Sequence, residues 1–128
     1  MSLLESLVAY NPVEKSFLEF HAANPHVYAA LVELAWRAKR QGHDKVGIDM
    51  LHAVARWYSM IGQNVVGSGE FLLNNNHRPY YARLIMLQES ELFGMFDVRE
   101  IQVPSSLEAL YVLRLREEPA SLSTPGEL

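Results

Sequence analysis

The chain has 128 residues, of which 49% are hydrophobic and 20% charged, and its formal net charge at pH 7 is −4. This length fits one domain with a substantial core, and the net acidity counts against a strong general affinity for nucleic acid. Because the chain has no cysteine, it has no disulfide framework, thiolate nucleophile or cysteine-ligated zinc.

Targeting and anchoring signals are not evident. No apolar run approaches the roughly 18 residues that span a bilayer, so we expect no membrane partner. The first ten residues carry Glu5 and have no basic region before the apolar residues, which is unlike a secretory signal. We therefore expect a cytoplasmic protein with one mostly helical domain over residues 1–118. Residues 119–128 have the composition of a disordered tail.

Two Asn-Pro pairs predict where the first two helices begin. Asn11-Pro12 and Asn24-Pro25 each supply a capping side chain followed by a proline suited to the first helical position. The second helix is predicted to run to Gln41, with Gly42 as a left-handed stop. Its apolar residues recur at the spacing of one helix face: Val27, Leu31, Leu34, Ala35 and Ala38.

Two further helices are predicted in the middle of the chain. The third, residues 47–61, has an apolar stripe opposite a polar face that includes Asp49, His52 and Arg56. A Gly-rich loop and three asparagines precede the fourth, residues 77–89. This helix is apolar almost all round, which is typical of a helix at the centre of a core or in an interface.

The C-terminal part allows two interpretations. Residues 95–103 alternate apolar and polar side chains and predict a strand that Pro104 ends. In residues 105–117, Ser105 and Glu108 have the spacing of a helical capping box. The alternation around Tyr111, Leu113 and Leu115 instead indicates a strand. The composition favours the strand, and hence a β-hairpin with residues 95–103.

Helices followed by a hairpin predict a mainly α fold with a winged-helix-like core. In that fold a helix enters the DNA major groove and the hairpin forms the wing. Residues 77–89 would be the recognition helix. Two features disagree with this fold: the preceding connection, residues 62–76, is long for a helix-turn-helix, and the helix has little polar surface.

The cations are unevenly distributed. Between residues 37 and 83, seven basic residues outnumber three acidic ones, so this part carries +4 and the rest −8. Asparagine can bind adenine edges, and arginine binds phosphate or guanine. The more common alternative is that an asparagine caps a helix and the cations are solvated near helix ends. The candidate nucleic-acid-binding residues are Asn75, Asn76, His77, Arg78, Arg83, Arg37, Lys39, Arg40 and Lys45.

Three segments resemble small uncharacterised proteins of phages and prophages of actinobacterial hosts. They are "FHAANPHVYAAL", "FLLNNNHRPYYARLIM" and "GMFDVRE", and the resemblance covers about residues 20–100. It implies a phage-like genetic context and no particular chemistry, so no catalytic or binding residue follows from it. The matching residues are Phe20, His21, Ala23, Asn24, Pro25, Val27, Tyr28, Asn74, Asn75, Asn76, Tyr81, Ala82, Arg83, Phe96 and Arg99.

The sequence contains no recognisable catalytic motif. Asp49 and His52 share a helix face, but one carboxylate–histidine pair is not a metal or proton-transfer site. Gly67-Ser68-Gly69 is neither a nucleophile elbow nor a P-loop. Candidate stacking platforms for bases are Trp36, Trp57, Tyr58, Tyr80 and Tyr81, although aromatic residues at helical spacing more often belong to the core. Trp57 lies just off the apolar stripe, beside Arg56. We expect no cofactor and no metal.

The first functional hypothesis is a small non-enzymatic accessory protein that binds DNA or associates with nucleic acid. The order of the elements and the basic middle segment favour it. The alternative is a protein–protein interaction module, either a homodimer or a phage protein that binds a host factor. The net acidity and the apolar fourth helix favour that alternative. A metal-dependent hydrolase has only Asp49 and His52 in its support.

Overall fold

The computed structural model describes residues 11–60 and 73–117, in which the chain is helical. No described helix is long and apolar enough to cross a membrane. The prediction of a mainly helical core is confirmed. The α-helices are α1 (Pro12–Ala23), α2 (Pro25–Arg40), α3 (Ile48–Met60), α4 (Arg78–Gln88) and α5 (Ser106–Glu117), with short 3-10 helices at Asn75–His77 and Ser90–Leu92.

The helix boundaries follow the capping residues. The backbone N–H of Glu14 donates to Asn11 Oδ1 at 2.9 Å, so Asn11 caps α1 and Pro12 follows at its first position. After α2, Gly42 has φ +96°, a conformation that disfavours any side chain. The predicted starts of these helices and the predicted stop at Gly42 are confirmed. The predicted cap of α2 is wrong, because the Asn24 side chain donates to the Phe20 carbonyl at 3.0 Å and accepts no hydrogen bond from the first turn of α2.

Helix α4 lies at the centre of the core. All residues from Tyr80 to Met86 are buried, and α4 packs against α2, α3 and α5. The nearly continuous apolar pattern of this helix therefore reflects burial inside the domain. It does not mark an interface with another molecule, which was the second possibility raised by the sequence.

The predicted C-terminal β-hairpin is wrong. The described residues contain no strand, and residues 106–117 form α5. Ser105 Oγ accepts a hydrogen bond from the N–H of Glu108 at 3.0 Å, as in the capping-box interpretation. This hydrogen bond satisfies one of the first backbone amides of the helix. Capping of this kind outweighs the strand-like composition of residues 105–117.

Residues 95–105 form neither a helix nor a paired strand. Met95 and Phe96 are buried in the core, and Val98 and Ile101 pack against it, so the apolar residues of this segment contact the helical core without pairing as a strand. The N–H of Val46 donates to the carbonyl of Met95 at 3.1 Å. No wing exists in the described part of the chain, and the winged-helix prediction is withdrawn with the hairpin. The predicted tail, residues 119–128, lies outside the described residues.

A buried carboxylate joins the two ends of the described chain. Glu14 of α1 is fully buried. Its carboxylate accepts from the backbone N–H groups of Ser106 and Leu107 at 3.0 and 3.1 Å. It also accepts from the hydroxyls of Ser105 and Ser106 at 2.6 and 3.0 Å. A carboxylate that accepts several charge-assisted bonds at a helix N-terminus stabilises that helix strongly.

Polar rings are also buried around Phe17. The ring centroids of His21, His77, Tyr80 and Tyr81 lie between 4.7 and 6.0 Å from the centroid of Phe17. The centroids of His21 and Tyr81 are 6.4 Å apart. In the described structure, four buried polar atoms have no hydrogen-bond partner: His21 Nδ1, His52 Nε2, His77 Nδ1 and Tyr81 Oη. Burial lowers the pKa of His21 and of His77, so both imidazoles favour the neutral form.

We expect Glu14→Gln to lower the free energy of unfolding by about 2 to 4 kcal/mol. The glutamine keeps one acceptor but replaces the other with a donor that faces backbone N–H groups, and it loses the charge at the helix N-terminus. Urea unfolding measures the change. Glu19→Gln, an exposed glutamate on the same helix, is the matched control. Equal effects of the two substitutions would contradict the capping role.

We expect stability to fall as the pH drops below about 6.5 because of His52. Burial, and then the nearby cations Arg56 and Arg78, lower its pKa to about 4. Between these two values the unfolded state binds the proton and the folded state does not. The decrease in the free energy of unfolding that comes from His52 is therefore complete only below about pH 4, where it reaches about 3 kcal/mol.

Urea unfolding between pH 7 and pH 4 measures this slope. We expect His52→Leu to make the slope shallower, because the apolar side chain does not titrate. His43→Leu, at an exposed histidine, should leave the slope unchanged. If the His52 variant keeps the slope of the parent chain, another group causes the acid sensitivity.

Candidate functional site

Arg83, predicted to bind nucleic acid, lies inside the protein. Its side chain is 0% exposed and forms an ion pair with Glu108. The guanidinium also donates to the carbonyls of Pro79 and Arg99, at 2.9 and 2.5 Å. It lies over the Tyr111 ring, 5.5 Å from its centroid. A guanidinium enclosed in this way cannot contact a nucleic acid, so its assignment to that site is corrected.

Three of the four cations predicted for phosphate contacts lie beside acids. Glu33 Oε2 is 3.2 Å from Arg37 Nε and 3.4 Å from Arg40 Nη2. Lys45 Nζ is 2.9 Å from Asp97 Oδ1, and Lys39 lies at the same cleft as Lys45. These ion pairs are exposed and individually weak. They nevertheless offset the positive potential that a phosphate-binding face needs.

The three asparagines shape the turn that leads into α4. Asn74 Oδ1 accepts from the backbone N–H of Asn76 at 2.9 Å, and Asn75 Oδ1 accepts from Arg56 Nη2 at 2.7 Å. Arg78 Nε donates to the Asn75 carbonyl at 3.1 Å and lies 3.5 Å from Asp49 Oδ1. The capping alternative therefore accounts for Asn74, and Arg56 holds the side chain of Asn75. All three asparagines are exposed.

His77 is not a surface residue. It is 3% exposed, and its Nε2 lies 3.2 Å from Ser16 Oγ. Its Nδ1 is buried without a partner in the described structure. A proton on Nδ1 would be a buried unsatisfied donor, so the favoured tautomer carries the proton on Nε2 and donates to Ser16. This is the reverse of the bond that activates a serine nucleophile.

An open cleft of about 650 Å³ lies beside this turn. We call it the asparagine cleft. Its walls combine amide and hydroxyl groups with the half-buried Phe20 ring, so it presents both polar and apolar surface. The lining residues are Ser16, Phe20, Leu73, Asn74, Asn75, Asn76 and His77.

Asp49 and His52 do not form a chemical pair. The Asp49 side chain is 73% exposed and faces Arg78, whereas His52 is buried. Within residues 11–60 and 73–117, no three His, Cys, Asp or Glu residues are grouped so that they could hold a metal ion. This arrangement gives the hydrolase hypothesis no support.

Sequence analysis misplaced the outer face of α3. It assigned His52 to the polar face, but the structure buries His52 together with Leu51 and Ala55. The exposed apolar residues described on α3 are Met50, Ala53 and Trp57, which we call the α3 stripe. Met50 is 60% and Trp57 54% exposed. The spacing of 50, 53 and 57 at helical periodicity was the available signal.

The chain matches no protein-family model, no curated protein and no solved structure. The assignment of function therefore depends on the geometry above. The phage-like genetic context stays a prediction.

We expect no binding to generic duplex DNA even at low salt, where phosphate contacts are strongest. Arg83 is enclosed, and acids lie beside Arg37, Arg40, Lys45 and Arg78. Fluorescence anisotropy with a labelled duplex in 20 to 200 mM salt measures this. Salt-sensitive binding at submicromolar affinity would contradict the charge arrangement described here.

Proposed function

We propose that the chain is a non-enzymatic interaction protein that binds a second protein molecule through the α3 stripe. The observation that carries this proposal is the exposure of Met50 and Trp57 on one line along α3. Tryptophan and methionine are enriched in protein interfaces, and tryptophan often contributes most of the binding energy. A large aromatic ring left in water at the surface is a frequent mark of such a contact.

The pattern of sizes along the stripe fits a second copy of the same chain. A large side chain lies at each end, Met50 and Trp57, and the small Ala53 lies between them. When two such helices pack antiparallel about a two-fold axis, the Met50 of one copy meets the Trp57 of the other. Sulfur–aromatic contacts of this kind are favourable. Ala53 permits the close approach of the two helix backbones.

Charges along one edge of α3 fit the same arrangement. Asp49 and Arg56 are seven residues apart, and both are exposed. Two turns of helix place them on the same flank of the stripe. In an antiparallel pair, each aspartate then lies opposite the arginine of the other copy. Such flanking charges set orientation more than affinity.

The net charge agrees better with a protein partner than with duplex DNA. The chain carries −4 overall, and the cations at residues 37–45 lie beside acids or share a cleft with them. The sequence-based DNA hypothesis depended on a shared basic face. The interaction module depends instead on apolar surface, which the structure supplies on α3.

Sedimentation equilibrium of the full chain tests the proposal. We expect a reversible dimer with a dissociation constant in roughly the micromolar to millimolar range, because the stripe is small for an interface. Trp57→Ser should raise that constant at least tenfold. Because Trp57 is largely exposed, the circular dichroism and the free energy of unfolding should change little.

Leu113→Ser is the matched control, since Leu113 on α5 is 53% exposed and Trp57 is 54% exposed. It should leave the dissociation constant unchanged. A chain that stays monomeric at 1 mM would overturn the proposal. So would equal weakening by the two substitutions, because self-association would then depend on general surface hydrophobicity.

A further inference from the structure

The asparagine cleft offers more hydrogen-bond donors than acceptors. The Oδ1 atoms of Asn74 and Asn75 already accept from Asn76 N and Arg56 Nη2. These bonds engage the oxygen of each amide, so the groups that these two side chains can offer to a ligand are the Nδ2 donors. Ser16 accepts from His77 in the favoured tautomer, and its own proton remains to be donated. A complementary ligand is therefore rich in acceptor oxygens.

Two arginines, which we call the rim arginines, donate hydrogen bonds to Asn75 in the wall of the cleft. Arg56 donates to Asn75 Oδ1 at 2.7 Å and to the Leu73 carbonyl at 3.3 Å. Arg78 donates to the Asn75 carbonyl at 3.1 Å. Asp49 lies beside Arg78, so the three charges sum to +1. Donor-rich amides next to guanidinium groups are suited to an oxyanion, and phosphate matches arginine especially well.

The remaining wall of the cleft is apolar. Phe20 and Leu73 line it and are half-buried. One part of the Phe20 ring packs on His77, with the centroids 5.5 Å apart. An exposed part of an aromatic ring provides a stacking surface for a flat heterocycle. A ligand that fills both walls has a phosphate at one end and an aromatic ring at the other.

We infer that the asparagine cleft binds a nucleotide. Its phosphate is held by Asn74, Asn75 and the rim arginines, and its base lies on Phe20. The same chemistry is present in a free nucleotide and in one residue of a single strand. A duplex does not offer it, because its bases are stacked and paired. The site shares no residue with Met50, Ala53 and Trp57 of the α3 stripe, but Arg56 belongs both to the rim of the cleft and to the flank of that stripe.

Isothermal titration calorimetry of the full chain with adenosine monophosphate, adenosine and inorganic phosphate tests the inference. We expect the monophosphate to bind most tightly, because it alone fills both walls. Asn75→Asp should weaken its binding at least tenfold. The aspartate keeps an oxygen for Arg56, so the turn is retained, but it replaces the amide donor with a negative charge.

Gln88→Glu is the matched control. It makes the same change of charge at the exposed far end of α4, about 15 Å along the helix from Arg78, and should leave binding unchanged. Equal weakening by both variants would mean a nonspecific charge effect and would overturn the inference. No binding of the monophosphate at 5 mM would also overturn it, as would equal binding of adenosine and the monophosphate.

The source of the ligand is decided by a further titration with a tetranucleotide of deoxyadenosine. Tighter binding than that of the monophosphate supports a single strand as the natural source. Equal or weaker binding supports a free nucleotide. Both outcomes require that Asn75→Asp still weakens binding; an unchanged affinity in that variant would place the nucleotide outside the cleft.

Discussion

The buried guanidinium of Arg83 is the constraint on which the arrangement of the C-terminal half depends. A buried charge without partners is very costly, so the chain must supply them. Glu108 of α5, the Pro79 carbonyl of α4 and the Arg99 carbonyl of the connection between these helices meet at this one side chain. Helix α4, helix α5 and the segment between them are thereby fixed relative to one another.

Glu14 holds the N-terminus of α5 in place. It satisfies the first amides of α5 from a position 92 and 93 residues earlier in the chain. Helix α5 is therefore held by a carboxylate from α1 at its start and by an arginine from α4 through Glu108. Charged side chains that are buried and bonded inside the fold are not available to bind a ligand. In the described part of the chain, the α3 stripe and the asparagine cleft are two external surfaces with distinctive chemistry.

The elements that sequence analysis predicted correctly are those whose signals are local. Asn11-Pro12 and Gly42 mark helix ends through nearby backbone bonds, and the structure places the ends there. Residues 105–117 were ambiguous because the decisive contact comes from Glu14, which no window of neighbouring residues contains. The capping-box spacing of Ser105 and Glu108 was the one local sign of the helix.

The candidate site was predicted less well, because side-chain exposure depends on tertiary packing. Arg83 follows Tyr80, Tyr81 and Ala82 in a helix that is apolar all round, and that context already indicated a buried cation with an internal partner. His52 lies four residues after Ile48 and therefore on the same face of α3. Asn75 and Asn76 do remain exposed, but the role of Asn75 in holding Arg56 could not be read from the sequence.

The most direct test of this account is a double-mutant cycle on Arg83 and Glu108, with each residue changed to methionine and unfolding measured in urea. Each single substitution should cost about 3 to 5 kcal/mol, because it leaves the other charge buried and unpaired. The double variant should cost at least 2 kcal/mol less than the sum of the single effects. Additive effects, or single losses below 1 kcal/mol, would contradict the claim that this ion pair holds α4 and α5 together.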